Sequence, residues 1–434
     1  MDIVRAGSKQ MRGNSISRRE FLKGAVALVA APTIISASAL GAEGRPAPSN
    51  RIAMGAIGAG GMGNGDMRGL MAYPEVQMVA VCDVDRNMRE SAQKGVNEYY
   101  AKVRRDTDYK GCEAYSDFRD LLERPDIDAV SIATPDHWHA LISIAAAKAG
   151  KDIYCEKPLS LTIREARAMV NAVRRYGRVF QTGSQQRSEF RGLFRQACEY
   201  VRSGRIGKVV TVNVGCGGPS SDCYLPAQPT PEGMDWEMWL GPAPWRPYNE
   251  GLHPFTWRAY RDYSGGGMTD IGAHMFDIAQ WGLNTDHTGP VEIIPPDGKD
   301  VKLLTYRYES GVLMYHGQSP GVTFRGTDGK VEVSRETLTA TPESIAKEPL
   351  GPNDVHLPRN AGHKADFLEC VKTRSKPICD VEIGCRSVII CHLGNIAYWL
   401  KRPLKWDPVN EVFVGDAEAN RWLDRPKRAP WTLS

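Results

Sequence analysis

"RIAMGAIGAGGMGNG", residues 51–65, decides the fold, because it joins a short apolar run to a glycine-rich turn. Ile52 to Ile57 reads as a buried strand, and the glycines that follow have the spacing G-x-G-x-x-G. In such a turn the first glycine permits the tight bend, the second lets the backbone approach a pyrophosphate, and the third lets the next helix pack on the strand. The alternative is a glycine-rich turn that binds nothing. With the phosphates facing the helix N-terminus, the turn predicts dinucleotide contacts from Gly58, Gly60, Gly61, Met62 and Gly63.

A carboxylate follows the turn at a distance that supports this interpretation. The second apolar run, "VQMVAVCDVD", contains Asp83, twenty residues after Gly63. A carboxylate at this place accepts hydrogen bonds from the ribose hydroxyls of the adenosine, which favours NAD over NADP. Two alternatives remain: Arg86 could receive a 2′-phosphate, and Asp83 could simply cap the next helix.

The pattern of strand, helix and strand continues to about residue 182. Apolar strands such as "AVSIATP" and "DIYCEKP" alternate with helical stretches, including Thr162 to Tyr176. Steady alternation predicts a doubly wound parallel sheet in an α/β protein. We therefore expect a dinucleotide-binding domain over residues 50–182 and a less regular substrate and oligomerisation domain over residues 183–434.

The N-terminus has the pattern of an export signal. "SRREFLK", Ser17 to Lys23, precedes an apolar run from Gly24 to Ile35 and small residues ending at Ala39. This order is that of a signal peptide, and the motif is similar to the twin-arginine signal, whose route carries folded proteins. The apolar run is shorter than the roughly 20 residues that span a bilayer, so we expect no stable membrane anchor. Residues 1–42 are thus predicted to be a signal and the start of a linker, and the protein to be periplasmic or otherwise exported.

Charge and cysteine content exclude other classes. The chain has 55 Lys and Arg against 51 Asp and Glu, and its first 39 residues hold six of the former and two of the latter, so the remainder is close to neutral. It has no basic block, and this argues against nucleic-acid binding. The ten cysteines form no C-x-x-C pair. A protein folded in the reducing cytosol before export is expected to keep most of them as thiols.

Two motifs carry acid–base chemistry. In "EKP", Glu156 to Pro158, the proline keeps Lys157 out of a helix at the carboxyl end of a strand, where open α/β sheets bind ligands. In "GGGMTDIGAH", residues 265–274, Asp270 and His274 are four residues apart, so one helix would present both on one face. Histidine exchanges protons near neutral pH, and Asp270 could hold the imidazole or accept a substrate hydroxyl. The alternatives are a solvated lysine, a helix cap and a core histidine.

Taken together, the glycine turn, "TPDHWHA" at residues 134–140, "EKP" and "GGGMTDIGAH" resemble the Gfo/Idh/MocA oxidoreductase family over nearly all of the chain after the signal. The resemblance implies a Rossmann domain and an α/β domain whose open, mostly antiparallel sheet forms oligomer contacts, so a homodimer or homotetramer is expected. It also implies oxidation or reduction of a sugar or cyclitol carbon. It makes Lys157 catalytic, gives His274 the acid/base role with Asp270 at the substrate, and places Thr134, Pro135, His139, Glu156 and Lys157 on the cofactor side.

The remaining candidates concern substrate and metal. An aromatic-rich segment, Trp236 to Tyr263, suits a carbohydrate's C–H face, although core filling explains about half of it. Trp257, Arg258 and Tyr263 are its predicted substrate contacts, together with Gln185 and Arg187 after a strand end. "HWH" at residues 137–139 has the residue types of a zinc site, which needs three protein ligands. We expect no metal, since the resemblance gives His139 another role.

These inferences combine into one function and one alternative. The sequence predicts an exported NAD-dependent oxidoreductase that moves a hydride between a sugar hydroxyl carbon and a tightly held cofactor, with NADP possible. Because NAD is scarce outside the cytosol, a retained cofactor has to be regenerated in place. The alternative is therefore a redox-neutral glycosidase or lyase that acts through a transient keto-sugar.

Overall fold

The computed structural model describes residues 50–104, 108–317 and 321–433. The predicted export signal lies outside these residues. Ile52–Ser434 form one compact unit, which contains two sheets. The first sheet ends with the strand Phe180–Thr182, where the sequence places a domain boundary; the division into two domains stays a prediction.

The first sheet has six parallel strands in the order β3-β2-β1-β4-β5-β6. Almost every residue of β1 and β2 is buried, as expected for a parallel sheet covered on both faces. The strand order reverses between β1 and β4, and this switch point is where doubly wound sheets bind ligands. The strands are β1 Ile52–Ile57, β2 Val76–Cys82, β3 Glu113–Tyr115, β4 Ala129–Ile132, β5 Asp152–Cys155 and β6 Phe180–Thr182.

The helices of the first half, residues 50–202, connect the strands of this sheet and cover it. The side chain of Thr162 accepts a hydrogen bond from the backbone N–H of Glu165, which fixes the start of α5. Eleven of the residues of α4 are buried, so this helix packs inside the unit rather than on its surface. The helices are α1 Gly61–Met71, α2 Arg86–Arg104, α3 Phe118–Leu122, α4 Asp136–Lys148, α5 Ile163–Arg175 and α6 Leu193–Arg202.

The second sheet has nine strands in the order β13-β12-β11-β7-β10-β9-β8-β14-β15. Its neighbours are antiparallel except for β7 and β10. The predicted α/β class with a parallel sheet and a mostly antiparallel sheet is therefore confirmed. The strands are β7 Val209–Gly215, β8 Glu292–Ile294, β9 Thr305–Arg307, β10 Leu313–Gly317, β11 Gly321–Gly326, β12 Lys330–Val333, β13 Leu338–Thr341, β14 Leu404–Asp407 and β15 Val412–Phe413.

One long helix of the second half, residues 203–433, contacts a strand of each sheet, β6 and β8. α12, Val381–Leu400, is apolar and long enough to cross a membrane by length and composition, but most of it is buried inside the unit. It packs against α5 and α9, so it serves as a core helix. The helices of this half are α7 Trp236–Leu240, α8 Gly267–Asp270, α9 Gly272–Leu283, α10 Ser344–Lys347, α11 His363–Thr373, α12 and α13 Ala417–Asn420.

Candidate active site

The glycine turn has the geometry that a pyrophosphate needs. Gly58 has φ +90°, and a Cβ added there would lie 2.7 Å from the Ala133 backbone. A Cβ at Gly63 would lie 1.9 Å from the carbonyl oxygen of Gly58, so only glycine lets α1 approach β1 this closely. At Gly60 and Gly61 an added Cβ would meet nothing within 4 Å. The backbone at the start of α1 is thus open to a ligand, and these residues fit a dinucleotide.

Asp83 lies where the sequence places the ribose contact. Its Oδ2 accepts a hydrogen bond from the N–H of Ala59 at 2.7 Å, and its Oδ1 accepts one from Asp85 at 2.9 Å. Burial raises the pKa of this carboxyl, and the two backbone N–H groups partly offset that effect. The hydrogen bonds fix the carboxyl group beside the glycine turn, facing the same cavity.

That cavity has walls from both halves of the unit. Besides the glycine turn and Asp83, it is lined by Thr134 and Pro135 after β4, two of the residues predicted to contact the cofactor. Its opposite wall comes from the aromatic-rich segment: Met238, Trp239, His253, Pro254, Phe255, Trp257 and Arg258. Trp257 and Arg258, predicted to bind sugar, therefore share a cavity with the dinucleotide turn.

A lysine–aspartate pair lies next to this cavity. Lys157 Nζ is 2.6 Å from Asp270 Oδ1 and donates a second hydrogen bond to the Asp270 carbonyl at 3.1 Å. Arg258, in the cavity wall, places its Nε 3.6 Å from the same Oδ1. Burial acts to raise the pKa of Asp270, but Lys157 and Arg258 outweigh it and lower that pKa. Asp270 is thus an anion that holds two cations at the edge of the cavity.

His274 is buried near this pair, and the positive charge of Lys157 affects its pKa. It is 4% exposed, and its Nδ1 is buried without a hydrogen-bond partner in the described part of the chain. Burial, followed by the positive charge of Lys157, lowers its pKa well below the usual value, so the imidazole is neutral. The expected single helix is interrupted at Ile271, between α8 and α9. A neutral imidazole with a free nitrogen can accept a proton.

Glu156 holds the backbone of Lys157 through a hydrogen bond. Its Oε1 accepts hydrogen bonds from Gln185 Nε2 at 2.7 Å and from Tyr154 Oη at 3.3 Å, and its Oε2 accepts one from the Lys157 N–H at 3.3 Å. Burial and the nearby Asp66 raise its pKa to about 8. Neither Glu156 nor Gln185 lines the cofactor cavity. Glu156 accepts from the Lys157 backbone and Gln185 holds the Glu156 carboxyl group, so both act on the protein around Lys157 and not on a ligand in that cavity.

Besides the predicted contacts Glu156 and Gln185, three more need correction. Arg187 has a side chain 1% exposed and is consumed by ion pairs with Asp277 and Asp286, both at 2.8 Å. Tyr263 is fully buried and packs against Trp239 and His137, so it belongs to an aromatic core. His139 lies behind the cavity wall, with its ring nitrogens 2.8 Å from the carbonyl oxygens of Thr134 and Pro158. It connects the "TPDHWHA" and "EKP" motifs through these contacts, and it does not line the cavity.

The "HWH" sequence does not form a metal centre. His137 Nε2 lies 2.9 Å from the carbonyl oxygen of Trp239, and His139 contacts backbone as described. Among the described residues there is no group of three or more His, Cys, Asp or Glu side chains placed to hold a metal ion. All ten cysteines are free thiols.

Sequence reasoning missed Asp136. It is the first residue of α4 and is 3% exposed. Its Oδ2 accepts a hydrogen bond from Ser264 Oγ at 2.6 Å, which ties α4 to the loop that leads to Asp270. An aspartate in the first turn of a helix is common, because its charge is favourable beside the helix dipole, so its position does not indicate a functional role. Only its place inside "TPDHWHA" could have drawn attention to it.

Comparisons with known proteins agree with this geometry. Residues 52–184 match the family model described as "Oxidoreductase family, NAD-binding Rossmann fold". Residues 218–433 match its companion, "Oxidoreductase family, C-terminal alpha/beta domain". The chain belongs to the Gfo/Idh/MocA oxidoreductase family. A nicotinamide cofactor and oxidoreductase chemistry follow from this membership.

Relatives within the Gfo/Idh/MocA family include sugar dehydrogenases. The levoglucosan dehydrogenase of Pseudarthrobacter phenanthrenivorans is 33% identical over 167 residues, which are 38% of this chain and 35% of that protein. The myo-inositol 2-dehydrogenase of Thermotoga maritima is 26% identical over 291 residues, 64% of this chain and 72% of that protein. A structure of levoglucosan dehydrogenase in complex with NADH and levoglucosan aligns with TM-score 0.57 and 20% identity, covering 84% of this chain and 100% of that one. This last likeness shows the fold alone.

Proposed function

We propose that the protein is an exported, NAD-dependent oxidoreductase that oxidises or reduces a hydroxyl-bearing carbon of a sugar or cyclitol. One observation carries the proposal: Lys157 and Asp270 pair at 2.6 Å near a neutral His274 whose Nδ1 has no partner among the described residues, and Asp270 also contacts Arg258 in the wall of the cavity that the glycine turn lines. The activities named for the relatives support the substrate class.

The residues divide the chemistry between them. A bound nicotinamide would supply the hydride acceptor or donor. His274 takes the proton of the substrate hydroxyl, since its imidazole is neutral and its Nδ1 has no partner among the residues that the structure describes. Lys157, anchored by Asp270, places positive charge and N–H donors where negative charge develops on the substrate oxygen. Glu156 and Gln185 fix the backbone at Lys157.

The charges near the ribose site favour NAD over NADP. Asp83 lines the cavity, and Asp85 lies two residues further on. A 2′-phosphate would meet both carboxylates. Arg86, the residue that could offset them, lies outside the cavity wall, with its Nη1 3.7 Å from an oxygen of the exposed Glu232.

The cavity walls support a retained cofactor. Residues 232–263, which we call the aromatic cover, fold back onto the chain after β2. Met234 forms a bridge with Asp85, and His253 Nε2 lies 3.1 Å from Asp85 Oδ2. A separate apolar cluster that includes Trp236, Trp239 and Trp257 holds the cover together. A ligand between the glycine turn and this cover would contact both, so the cover would slow its release.

Retention and export form one proposal. The twin-arginine motif at Arg18 and Arg19 would send the protein out already folded, so the dinucleotide would be enclosed in the cytosol. Outside the cytosol, where NAD is dilute, a micromolar dissociation constant would leave the site empty.

We further propose a homodimer or homotetramer formed through the second sheet. Light scattering after gel filtration tests this.

A substrate screen that follows absorbance at 340 nm and product mass together tests the activity. Levoglucosan, myo-inositol and a panel of aldoses are the first candidates, with and without added NAD. Net NADH formation with an oxidised product supports the proposal. A cleaved or rearranged sugar without net NADH would identify the redox-neutral glycosidase or lyase instead.

A further inference from the structure

An ion pair joins α11 to the helix that follows the glycine turn. Lys364 Nζ of α11 lies 3.0 Å from Oδ1 of Asp66, a residue of α1 whose side chain is 3% exposed. Gly69 of α1 leaves room for the lysine stem, since a Cβ added there would lie 2.8 Å from Lys364 Cε. The pair is thus a packed and mostly buried contact, and the proposed reaction does not use it.

The Asp66 carboxyl group is also a neighbour of Glu156, the residue before Lys157. The two carboxyl groups hydrogen-bond each other, and this needs one proton between them, because two carboxylates in contact repel. Oδ2 of Asp66 is buried and has no N–H or hydroxyl donor within the described ranges, so this group keeps an acceptor atom for a protonated neighbour. Lys364 favours the charged form of Asp66, and burial raises the pKa of Glu156 to about 8. Glu156 is therefore the donor, and Asp66 is the acceptor that Lys364 holds.

Glu156 has little freedom to move in this environment. A Cβ added at Gly183 would overlap Glu156 Oε1, so the carboxyl group fits only against glycine. Tyr154 Oη donates to the same oxygen at 3.3 Å. Lys364 Nζ lies 5.7 Å from the centroid of the Tyr154 ring, within the range of a cation–π contact. Lys364 thus contacts two neighbours of Glu156, the Asp66 carboxyl group and the Tyr154 ring.

The first residue of α11 is fixed to the first sheet, and this places Lys364. Gln181 Nε2 of β6 donates a hydrogen bond to the carbonyl oxygen of His363 at 2.6 Å. The Nε2 atom of His363 lies 3.1 Å from the carbonyl oxygen of Thr182, the last residue of β6. Because these contacts precede Lys364 by one residue, the lysine is held at the carboxyl ends of the strands.

We propose that Lys364 is a positioning residue for Lys157: through Asp66 and Glu156 it fixes the backbone that presents the Lys157 ammonium group to Asp270. The inference rests on the proposed function, because it gives Lys364 a part in the reaction of that site. The contacts run without a break from Lys364 to Asp66 at 3.0 Å, from Asp66 to Glu156, and from Glu156 Oε2 to the Lys157 N–H at 3.3 Å.

Loss of the Lys364 cation would act on Lys157 in two steps. Asp66 would become a buried carboxylate without a cation at ion-pair distance in the described part of the chain, which is costly. It would then take the proton of Glu156, so Glu156 would become the anion and would no longer donate to Asp66. The Glu156 carboxyl group would lose its fixed orientation, and Lys157 Nζ would move from its 2.6 Å contact with Asp270. A misplacement of about 1 Å at a catalytic group can lower the rate by about 100-fold.

Lys372 of the same helix is a matched control. Its Nζ lies 3.2 Å from Glu75 Oε1, so it also joins α11 to the first half through an ion pair. Glu75 comes just before β2, which runs parallel to β1, and this is the edge of the sheet opposite the glycine turn. Removal of Lys372 therefore breaks an ion pair of the same kind far from Lys157.

A double-mutant cycle tests the proposal. Turnover at saturating dinucleotide and sugar is measured for the unaltered protein, Lys364→Met, Lys157→Ala and the double variant, with product collected over hours for the slow variants. We expect Lys364→Met to lower turnover by roughly 10- to 100-fold where Lys157 is present. In the Lys157→Ala protein it should lower turnover by less than about twofold, because a residue that acts through Lys157 has no effect in its absence. Lys364→Arg keeps a cation at Asp66 and should retain turnover within about threefold, and Lys372→Met should leave turnover unchanged.

Three results would overturn the inference. They are equal losses from Lys364→Met with and without Lys157, a turnover that Lys364→Met leaves unchanged, and a loss of the same size in Lys372→Met. If Lys364→Met does not fold, Lys364→Gln takes its place in the cycle. A protein that binds dinucleotide and turns over no sugar refutes the proposed function and this inference together. An additive cycle in a protein that oxidises sugar refutes this inference alone.

Discussion

Two clusters of buried charge flank α9, and they differ in how completely they are paired. Around Arg187, Asp277 and Asp286 accept hydrogen bonds from Nε, Nη1 and Nη2 at 2.8 to 2.9 Å, and Ser387 donates to Asp277 at 2.8 Å. Burial acts to lower the pKa of Arg187, and the two carboxylates outweigh it and hold that pKa above its usual value. Around Lys157 the side chains of the lysine and Asp270 are 13% and 28% exposed, and His274 Nδ1 has no partner in the described part of the chain.

The difference separates a structural cluster from a chemical one. In the first cluster the ionised groups have donors or acceptors within the protein, so no atom is left for a ligand. In the second cluster His274 Nδ1 has no hydrogen-bond partner among the described residues, and Asp270 contacts Arg258 of the cavity wall. Both clusters contain charged residues near strand ends, so charge and position along the chain do not distinguish them. The two clusters differ in whether every charged group is paired within the protein.

The largest expected effect comes from breaking the complete cluster. Arg187→Met leaves Asp277 and Asp286 as buried acids without a cation, and should lower the free energy of unfolding by about 3–5 kcal/mol. Chemical denaturation measures this change, with the exposed Arg164→Met as control. A loss no larger than that of the control would contradict a structural role for this cluster.

Breaking the incomplete cluster should affect turnover and leave stability nearly intact. Lys157→Ala and His274→Ala should each lower turnover by roughly 100-fold or more, because each removes a group that handles the substrate proton or oxygen. The exposed Lys148→Ala and His287→Ala are matched controls, and NAD titration should show retained binding. Near-normal turnover in both active-site variants would return the cluster to a structural role.

A smaller effect is expected at the ribose contact. Asp83→Ala removes a charged hydrogen-bond acceptor, and should weaken NAD binding by about 1–3 kcal/mol. Calorimetric titration of the dinucleotide-free protein measures this loss, and Asp300→Ala is the control. Unchanged affinity would count against the placement of the adenosine at Asp83.

The smallest effect concerns the aromatic cover. His253→Ala removes the 3.1 Å side-chain contact with Asp85, and a hydrogen bond of this kind contributes about 1 kcal/mol. Dinucleotide release should therefore become faster by up to about fivefold. Stopped-flow fluorescence of bound NADH measures the release rate. A slower or unchanged rate would show that the cover does not retain the cofactor through this contact.

How far the sequence predicts each region depends on the separation of its residues. Gly58, Gly63 and Asp83 lie within one strand–helix–strand unit, so their spacing alone predicts their meeting. Lys157 and Asp270 are 113 residues apart, and only the family resemblance brought them together before the structure did.

The failures have the same cause. Arg187 follows a strand end, as a site residue would, but its partner Asp277 lies 90 residues further on, and the sequence does not show that pairing. Composition suggested a sugar surface for Trp257 and Arg258. The fold of the cover onto the chain after β2 places them in the wall of the cofactor cavity, and their contact with a sugar stays a prediction.

The most direct test of the central claim is to identify the small molecule released when the exported protein is denatured. The protein is collected from outside the cytosol, dialysed extensively and unfolded, and the supernatant is analysed by absorbance and mass. A retained nicotinamide cofactor predicts close to one NAD or NADH per chain, while Arg18→Lys combined with Arg19→Lys should leave the folded precursor in the cytosol. An exported protein that releases no dinucleotide and binds added NAD only weakly would contradict the proposal of an enclosed, working cofactor.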